Sequence, residues 1–296
     1  MTALFQICSL LPLWLLRLLG SLLGYTIWVL SPRYRRLFNQ NWAAAMGPNS
    51  SQKKRSAIAQ AGQFVSELPK IWCDPASTRQ MTIEGLDELS LAARGGRGLI
   101  ILTPHLGAFE LAPRAFAQHQ PITVLYRPAR KAWVERLLQT FRPGKNLSTA
   151  PANAGGVRQL LRALKRGEAI GMLPDQVPSR GEGFWANFFG KPAYTMILPI
   201  RLAQATGAVL AWALPLRTSD GWVLRLERWT PEHENGCARE LDVAVREMNR
   251  KAEEVILRAP EQYLWAYNRY KHPANSGPDD FRLCPCRCAR SCRSRP

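Results

Sequence analysis

Residues 3–30 form an almost unbroken apolar run in which Arg17 is the only charge. At about 20 residues per bilayer crossing, the run is long enough to span a membrane. It does not read as a cleavable signal, because it is too long and has neither a charged leader nor a small-residue cleavage site. Arg33, Arg35 and Arg36 follow directly, with no comparable cluster ahead of the run. The positive-inside tendency therefore puts the body of the protein in the cytoplasm and the N-terminus outside. A charge near the bilayer centre is costly unless it snorkels or finds a partner. Arg17 thus leaves a second arrangement open, a monotopic one with two short helices divided near Pro12 or Gly20.

Beyond the run, Ile58, Ala61, Phe64, Val65, Leu68, Ile71 and Trp72 recur at helical spacing and predict an amphipathic helix. Short apolar runs at 99–102, 122–125, 169–173, 209–214 and 223–226 predict strands, and Val157, Leu160, Leu161 and Leu164 predict a helix among them. Strands interleaved with helices predict an α/β fold, a mostly parallel central sheet flanked by helices, with an antiparallel hairpin at its edge from the last two runs. The cluster Phe184, Trp185, Phe188 and Phe189 reads as core, the alternative being an acyl channel or a lipid-docking patch. The expected organisation is a membrane anchor over 1–32, one α/β domain over 33–272, and a disordered tail over 273–296, where Asn, Ser, Gly, Pro, Arg and Cys dominate.

Charge and cysteine content narrow the partners. Forty Lys and Arg against 22 Asp and Glu give a net charge of +18, so polyanions are expected: nucleic acid, anionic lipid or an acidic protein. The basic residues are spread along the chain, and no helix-turn-helix, finger or RNA-motif signature accompanies them, which disfavours nucleic acid. Of seven cysteines, Cys284, Cys286, Cys288 and Cys292 crowd the tail and Cys8, Cys73 and Cys237 are scattered. That pattern implies neither a disulfide framework nor a zinc site, and a reducing compartment is the simpler inference.

The chemistry-bearing segment is 99–110, where His105 follows a buried strand and Glu110 comes five residues later. On a continuous helix the two side chains would diverge by about 140°, so they meet only if His105 lies in a turn and Glu110 at the start of the next helix. Pro104 and Gly107 make such a turn plausible. A carboxylate on one imidazole nitrogen fixes the tautomer and raises the basicity of the other, as a general base for an alcohol requires. The next helix's first N–H groups would suit a developing oxyanion. No G-x-S-x-G elbow or H-E-x-x-H helix points to a hydrolase.

The segment resembles the His-x4-Asp/Glu acyltransferases, and more closely the late acyltransferases of lipid A biosynthesis, the lauroyl and myristoyl transferase family. Matching residues include the hydrophobic N-terminus, His105 to Glu110, Leu125-Tyr126-Arg127-Pro128, Leu164-Lys165-Arg166-Gly167-Glu168 and Leu173-Pro174-Asp175-Gln176. Others are Gly181-Glu182-Gly183-Phe184, Asn187-Phe188-Phe189-Gly190 and Pro260-Glu261-Gln262-Tyr263-Leu264-Trp265. The chain departs from the family in a stretch, 141–145, with fewer arginines, and in its Cys-rich tail. The resemblance implies transfer of a fatty acyl group from acyl carrier protein to a hydroxyl of a phosphorylated lipid A precursor, at the cytoplasmic side of a bacterial inner membrane. It casts His105 as base, Glu110 as its orienting group, and Arg127, Asp175 and Gln176 as substrate-binding residues. Asp175 has an alternative role, ordering the loop that follows it. No cofactor or metal of the enzyme's own is expected, since the donor's phosphopantetheine arm carries the acyl group. An acidic carrier, a phosphorylated glycolipid and an anionic membrane all suit the basic composition. A glycerolipid acyltransferase with a related site and a membrane-tethered nucleic-acid-binding protein are the alternatives.

Overall fold

The computed structural model of the chain describes residues 2–47, 50–129, 131–231 and 241–273. Apart from Pro273, the expected tail lies outside these residues, as does Cys237. The apolar run is broken into α1 (Thr2–Ser9) and α2 (Leu13–Leu30). Of the two candidate division points, Pro12 is the one used, because proline lacks the N–H that would continue the helix. Gly20 stays inside α2, where its missing side chain has another use described below.

Helix α3 (Pro32–Met46) is started by Ser31, whose hydroxyl accepts from the Tyr34 N–H, with Pro32 in the first turn. The amphipathic helix α4 (Ser51–Cys73) extends the periodic segment by two turns upstream. Then come α5 (Ala76–Arg79), β1 (Met81–Glu84), α6 (Leu86–Ala92), β2 (Leu99–Leu102), α7 (Ala112–Phe116), β3 (Ile122–Tyr126), α8 (Ala132–Phe141) and β4 (Leu147–Pro151). Helix α9 (Ala154–Lys165) is capped by Asn153, which accepts from the Gly156 N–H at 2.9 Å. The remainder runs β5 (Ala169–Met172), β6 (Gly183–Phe188), β7 (Lys191–Met196), α10 (Leu198–Thr206), β8 (Val209–Arg217), β9 (Trp222–Trp229) and α11 (Leu241–Arg258).

Seven strands form one sheet in the order β1-β9-β8-β2-β5-β3-β4, parallel except for the β8–β9 pair. The last two apolar runs do form a hairpin, but it is interior: β8 pairs with β2 and β1 covers the outer side of β9. Central strands such as β2 are buried at every position, as a sheet covered on both faces requires. Ile100, Leu102, Ile170 and Trp212 point into a core built with α3, α9, α10 and α11. Leu99, Ile101, Ala169 and Ala211 point into a second core with α6, α7, α8 and the end of α4. The β6–β7 hairpin forms a separate two-stranded sheet that turns through Phe189 and Gly190, both at positive φ. Phe188 is buried there, with Phe184 and Phe189 packed against the same core, while Trp185 lies outside that core, half-buried against Tyr194 and His272.

Candidate active site

Strands β2, β5 and β3 are neighbours and parallel, so their C-terminal ends open at one edge of the sheet, where α/β folds place ligands. His105 follows β2, Asp175 and Gln176 follow β5, and Arg127 follows β3. Residues 70 apart in the chain thereby meet. His105 Nδ1 lies 2.8 Å from Asp175 Oδ1, and the His105 backbone N–H donates to Asp175 Oδ2 at 2.9 Å. On the other side of the ring, the Gln176 side-chain nitrogen lies 2.9 Å from His105 Nε2.

Asp175 is 3% exposed. Burial pushes its carboxyl up, but the charge of His105, the two hydrogen bonds from that residue and the nearby Arg269 together hold it below the ordinary carboxylate range. An ionised Asp175 accepts from Nδ1–H, which leaves the Nε2 lone pair to accept from the Gln176 amide. Burial, and next the adjacent Asp175 charge, push the Tyr263 phenol well above its ordinary value, so it stays a hydrogen-bond donor beside that carboxylate.

The backbone carrying His105 is held from the far end of the domain. The Leu264 N–H donates to the His105 carbonyl at 3.0 Å, Gly107 N–H to the Gln262 carbonyl at 2.9 Å, and Ala108 N–H to the Pro215 carbonyl at 2.7 Å. Gly107 has φ +57°, and a Cβ there would stand 1.9 Å from the Pro215 carbonyl oxygen, so only glycine fits. The segment 260–265 thus holds the His105 backbone in place while contributing no cavity wall.

Glu110 is turned elsewhere. Residues 107–111 are turns, and α7 starts only at Ala112, so Glu110 does not come around to the imidazole. Its carboxylate ion-pairs with Arg142 through both Arg142 Nε (3.1 Å) and Nη2, and accepts from Trp72 Nε1 at 3.3 Å. The orienting contact expected of Glu110 is made by Asp175. The helix expected to follow begins only at Ala112 and has five residues, and of the amides before it those of Gly107, Ala108 and Leu111 are already engaged.

His105, Glu110, Arg127 and Gln176 nevertheless line one cavity of about 480 Å³. Its wall also carries Arg114, Arg142 and Lys271, while Val124, Leu125, Leu138 and Leu173 make it apolar between these charges. Glu135 ties down the loop bearing Arg127 by accepting the Ala129 N–H at 2.7 Å. A separate apolar cavity of about 40 Å³, over Gly171 and Met172, adjoins it and shares Phe109, Val124 and Leu173 in its wall. Phe109 sits edge-on to the His105 ring at 4.9 Å between centroids and stacks on Phe64. Among the described residues no group of three His, Cys, Asp or Glu is arranged to hold a metal. Sequence reasoning missed the roles of Trp72, which reads as plain helix core, of Arg142, in the stretch noted only for its fewer arginines, and of Tyr263, in the matching segment 260–265.

The chain matches the model of the family described as bacterial lipid A biosynthesis acyltransferase over residues 1–272. It is 30% identical over 268 residues to the lipid A biosynthesis palmitoleoyltransferase of Escherichia coli (strain K12), a match covering 88% of this chain and 86% of the relative. To the lipid A biosynthesis lauroyltransferase of the same organism it is 26% identical over 263 residues, covering 86% and 84%. Among solved structures it is similar to the 1-acyl-sn-glycerophosphate acyltransferase PlsC of Thermotoga maritima, with 15% identity, a TM-score of 0.34, and 82% of this chain and 98% of that one covered.

Proposed function

This chain belongs to the bacterial lipid A biosynthesis acyltransferase family, and from that premise we propose that it transfers a fatty acyl group from acyl carrier protein to a hydroxyl of a phosphorylated lipid A precursor. The observation that carries the mechanism is the buried Asp175 carboxylate on His105 Nδ1, with the opposite nitrogen turned toward the cavity. In this reading the acceptor hydroxyl takes the place of the Gln176 amide at Nε2. His105 removes the hydroxyl proton as the oxygen attacks the thioester carbonyl carbon. The tetrahedral intermediate collapses, the carbon–sulfur bond breaks, and the thiol of the carrier's phosphopantetheine arm leaves with the proton from the imidazolium. Asp175 stabilises that imidazolium and keeps the ring in the useful tautomer.

Arg127, Arg142, Arg114 and Lys271 supply positive charge for the acceptor's phosphates and for the acidic carrier. Glu110 holds Arg142 at the cavity wall beside Trp72. The apolar wall leading to Phe109 suits the fatty chain. The enzyme works at the inner membrane, with the catalytic domain on the cytoplasmic side, held there by the apolar N-terminal helices and the arginines after them.

The test is direct: the purified full chain is given labelled acyl carrier protein and a tetraacyl lipid A precursor, and label should move to the lipid. His105→Ala should reduce the rate by about a hundredfold or more, the usual size for loss of a general base. Turnover retained in that variant would refute the mechanism.

A further inference from the structure

Helix α2 has the length and composition of a bilayer span, with 18 residues or roughly 27 Å at 1.5 Å per residue. Its neighbours in the fold say otherwise. A crossing helix leaves its two ends on opposite sides of the hydrocarbon, yet both ends of α2 are fastened to the same catalytic domain. Ahead of it, Phe5 of α1 stacks on Trp72 and Phe141, and Lys70 Nζ donates to the Ser9 and Leu11 carbonyls at 3.0 and 3.3 Å. After it, α3 buries Phe38 and Trp42 in the core, and the Asn41 amide donates to the Trp265 and Tyr267 carbonyls at 2.6 and 2.7 Å.

Between these points α2 lies antiparallel along α4 in a continuous register. Arg17 Nε pairs with Glu67 at 2.8 Å, Gln63 Nε2 donates to the Ser21 hydroxyl at 2.9 Å, and the Tyr25 hydroxyl donates to the Arg55 carbonyl at 3.1 Å. Gly20 and Gly24 meet Gly62 so closely that a Cβ on Gly62 would stand 2.0 Å from the Gly20 carbonyl oxygen. Arg17 is fully committed: besides Glu67 it reaches the carbonyls of Thr218, Ser219 and Gly221 in the turn between β8 and β9. Glu67 is wholly buried and shared with Arg217, so α2 cannot swing away without stranding a buried carboxylate and guanidinium. Nor can α4 accompany α2 into hydrocarbon, because its exposed face carries Gln52, Lys53 and Arg55.

The other face of α2 has no protein partner. Trp14, Leu18 and Leu22, spaced four apart, are 67%, 52% and 58% exposed, and Leu19, Leu23 and Leu30 flank them. Immediately beyond stand the exposed Arg33 and Arg36, with Arg55, whose carbonyl accepts from Tyr25, and the exposed Lys53 on α4. An apolar stripe with a cationic collar and aromatic residues at both ends has the chemistry of an anionic bilayer surface.

We propose that α1 and α2 lie within a single leaflet of an anionic bilayer, with the N-terminus on the same side as the catalytic domain. This rests on the membrane-bound reading above and replaces the N-terminus-outside topology expected from the sequence. It also puts the Phe5–Trp72 contact, one residue removed from Glu110 in the cavity wall, at the membrane edge, so that the acceptor reaches the site from the leaflet that holds the helices.

Two measurements that need no catalysis decide it. In the first, Gln6→Cys and Gln40→Cys are made separately in full chains whose seven native cysteines are changed to serine, and spheroplasts are treated with an impermeant maleimide before and after lysis. Both positions should stay unlabelled before lysis and react once the membrane is dissolved in detergent; labelling of Gln6→Cys alone in intact spheroplasts overturns the proposal. In the second, the purified chain is floated with vesicles of phosphatidylethanolamine and phosphatidylglycerol. The pair Leu18→Glu and Leu22→Glu should lower the bound fraction at least tenfold with Tm unchanged. Binding equal to the unaltered chain, or a switch from dimer to monomer with binding kept, overturns it, the latter because a second copy would then be the true occupant. A chain that binds as described but transfers no acyl group refutes the proposed function and leaves this topology standing.

Discussion

His105 is oriented by a residue seventy positions away, and that contact sorts the two carboxylates of the cavity region into different jobs. Asp175→Asn keeps the shape but cannot accept from both the ring N–H and the backbone N–H, so it favours the tautomer with Nε2 protonated. The expected result is a drop in kcat of about a hundredfold or more with KM little changed, and an altered pH–rate profile. Glu110→Gln removes the counterion of Arg142 and leaves the imidazole pair intact. It should raise KM for the phosphorylated acceptor by about tenfold, the loss of one charge-assisted contact, without altering the pH profile. Steady-state kinetics on both variants checks the division. Equal kcat losses and matching profiles would return the orienting role to Glu110. Each of these side chains was conspicuous in the sequence, but the spacing of His105 and Glu110 suggested a local pair. The distant pair forms because β2 and β5 are hydrogen-bonded neighbours, a fact no short segment contains.

At the scale of elements, the α2–α4 contact is the one that most depends on small residues. Gly62→Val would force its side chain into the Gly20 carbonyl and the Gly24 backbone, which stand 2.0 and 2.4 Å from an added Cβ. Overpacking of this kind costs about 1–3 kcal/mol, or roughly 2–10 °C in Tm for a chain of this size. Leu18→Ala on the opposite, exposed face should change stability by no more than about 0.5 kcal/mol. Thermal unfolding of the two variants in detergent is the check, and equal shifts would mean that α2 is not docked on α4. The strongly periodic elements α4 and α9 and the apolar runs of β2, β3, β5, β8 and β9 were readable along the chain. The short β1 and β4, with Thr, Glu and Ser among their residues, were not, because their strand character comes from pairing with β9 and β3.

At the scale of the whole molecule, the charge of +18 should make association with an acidic carrier protein salt-sensitive. We expect kcat/KM for the acyl carrier to fall by about threefold or more between roughly 0.05 and 0.5 M salt; a flat profile would remove the electrostatic argument. Stability should also decline in alkali. Burial, as the leading cause, raises the phenols of Tyr34, Tyr126 and Tyr263, and Tyr270 is pushed up to about 12. The folded chain therefore holds these protons at pH values where the unfolded chain, with ordinary phenols near ~10, has lost them. The stabilisation is full below the unfolded value and is lost as pH rises from there through the folded values. Tm measured from pH 8 to 12 should fall above about pH 10, and less steeply in Tyr263→Phe. The sequence by itself determined the α/β class, the apolar N-terminus, the basic character and the residue types at the site, since periodicity, composition and turn chemistry are short-range properties. Only the tertiary structure decided which carboxylate serves His105, that the hairpin lies inside the sheet, and that α2 is bound at both ends to one domain. Those outcomes depend on strand order and helix docking, which bring together residues whose separation along the chain carries no trace of their contact.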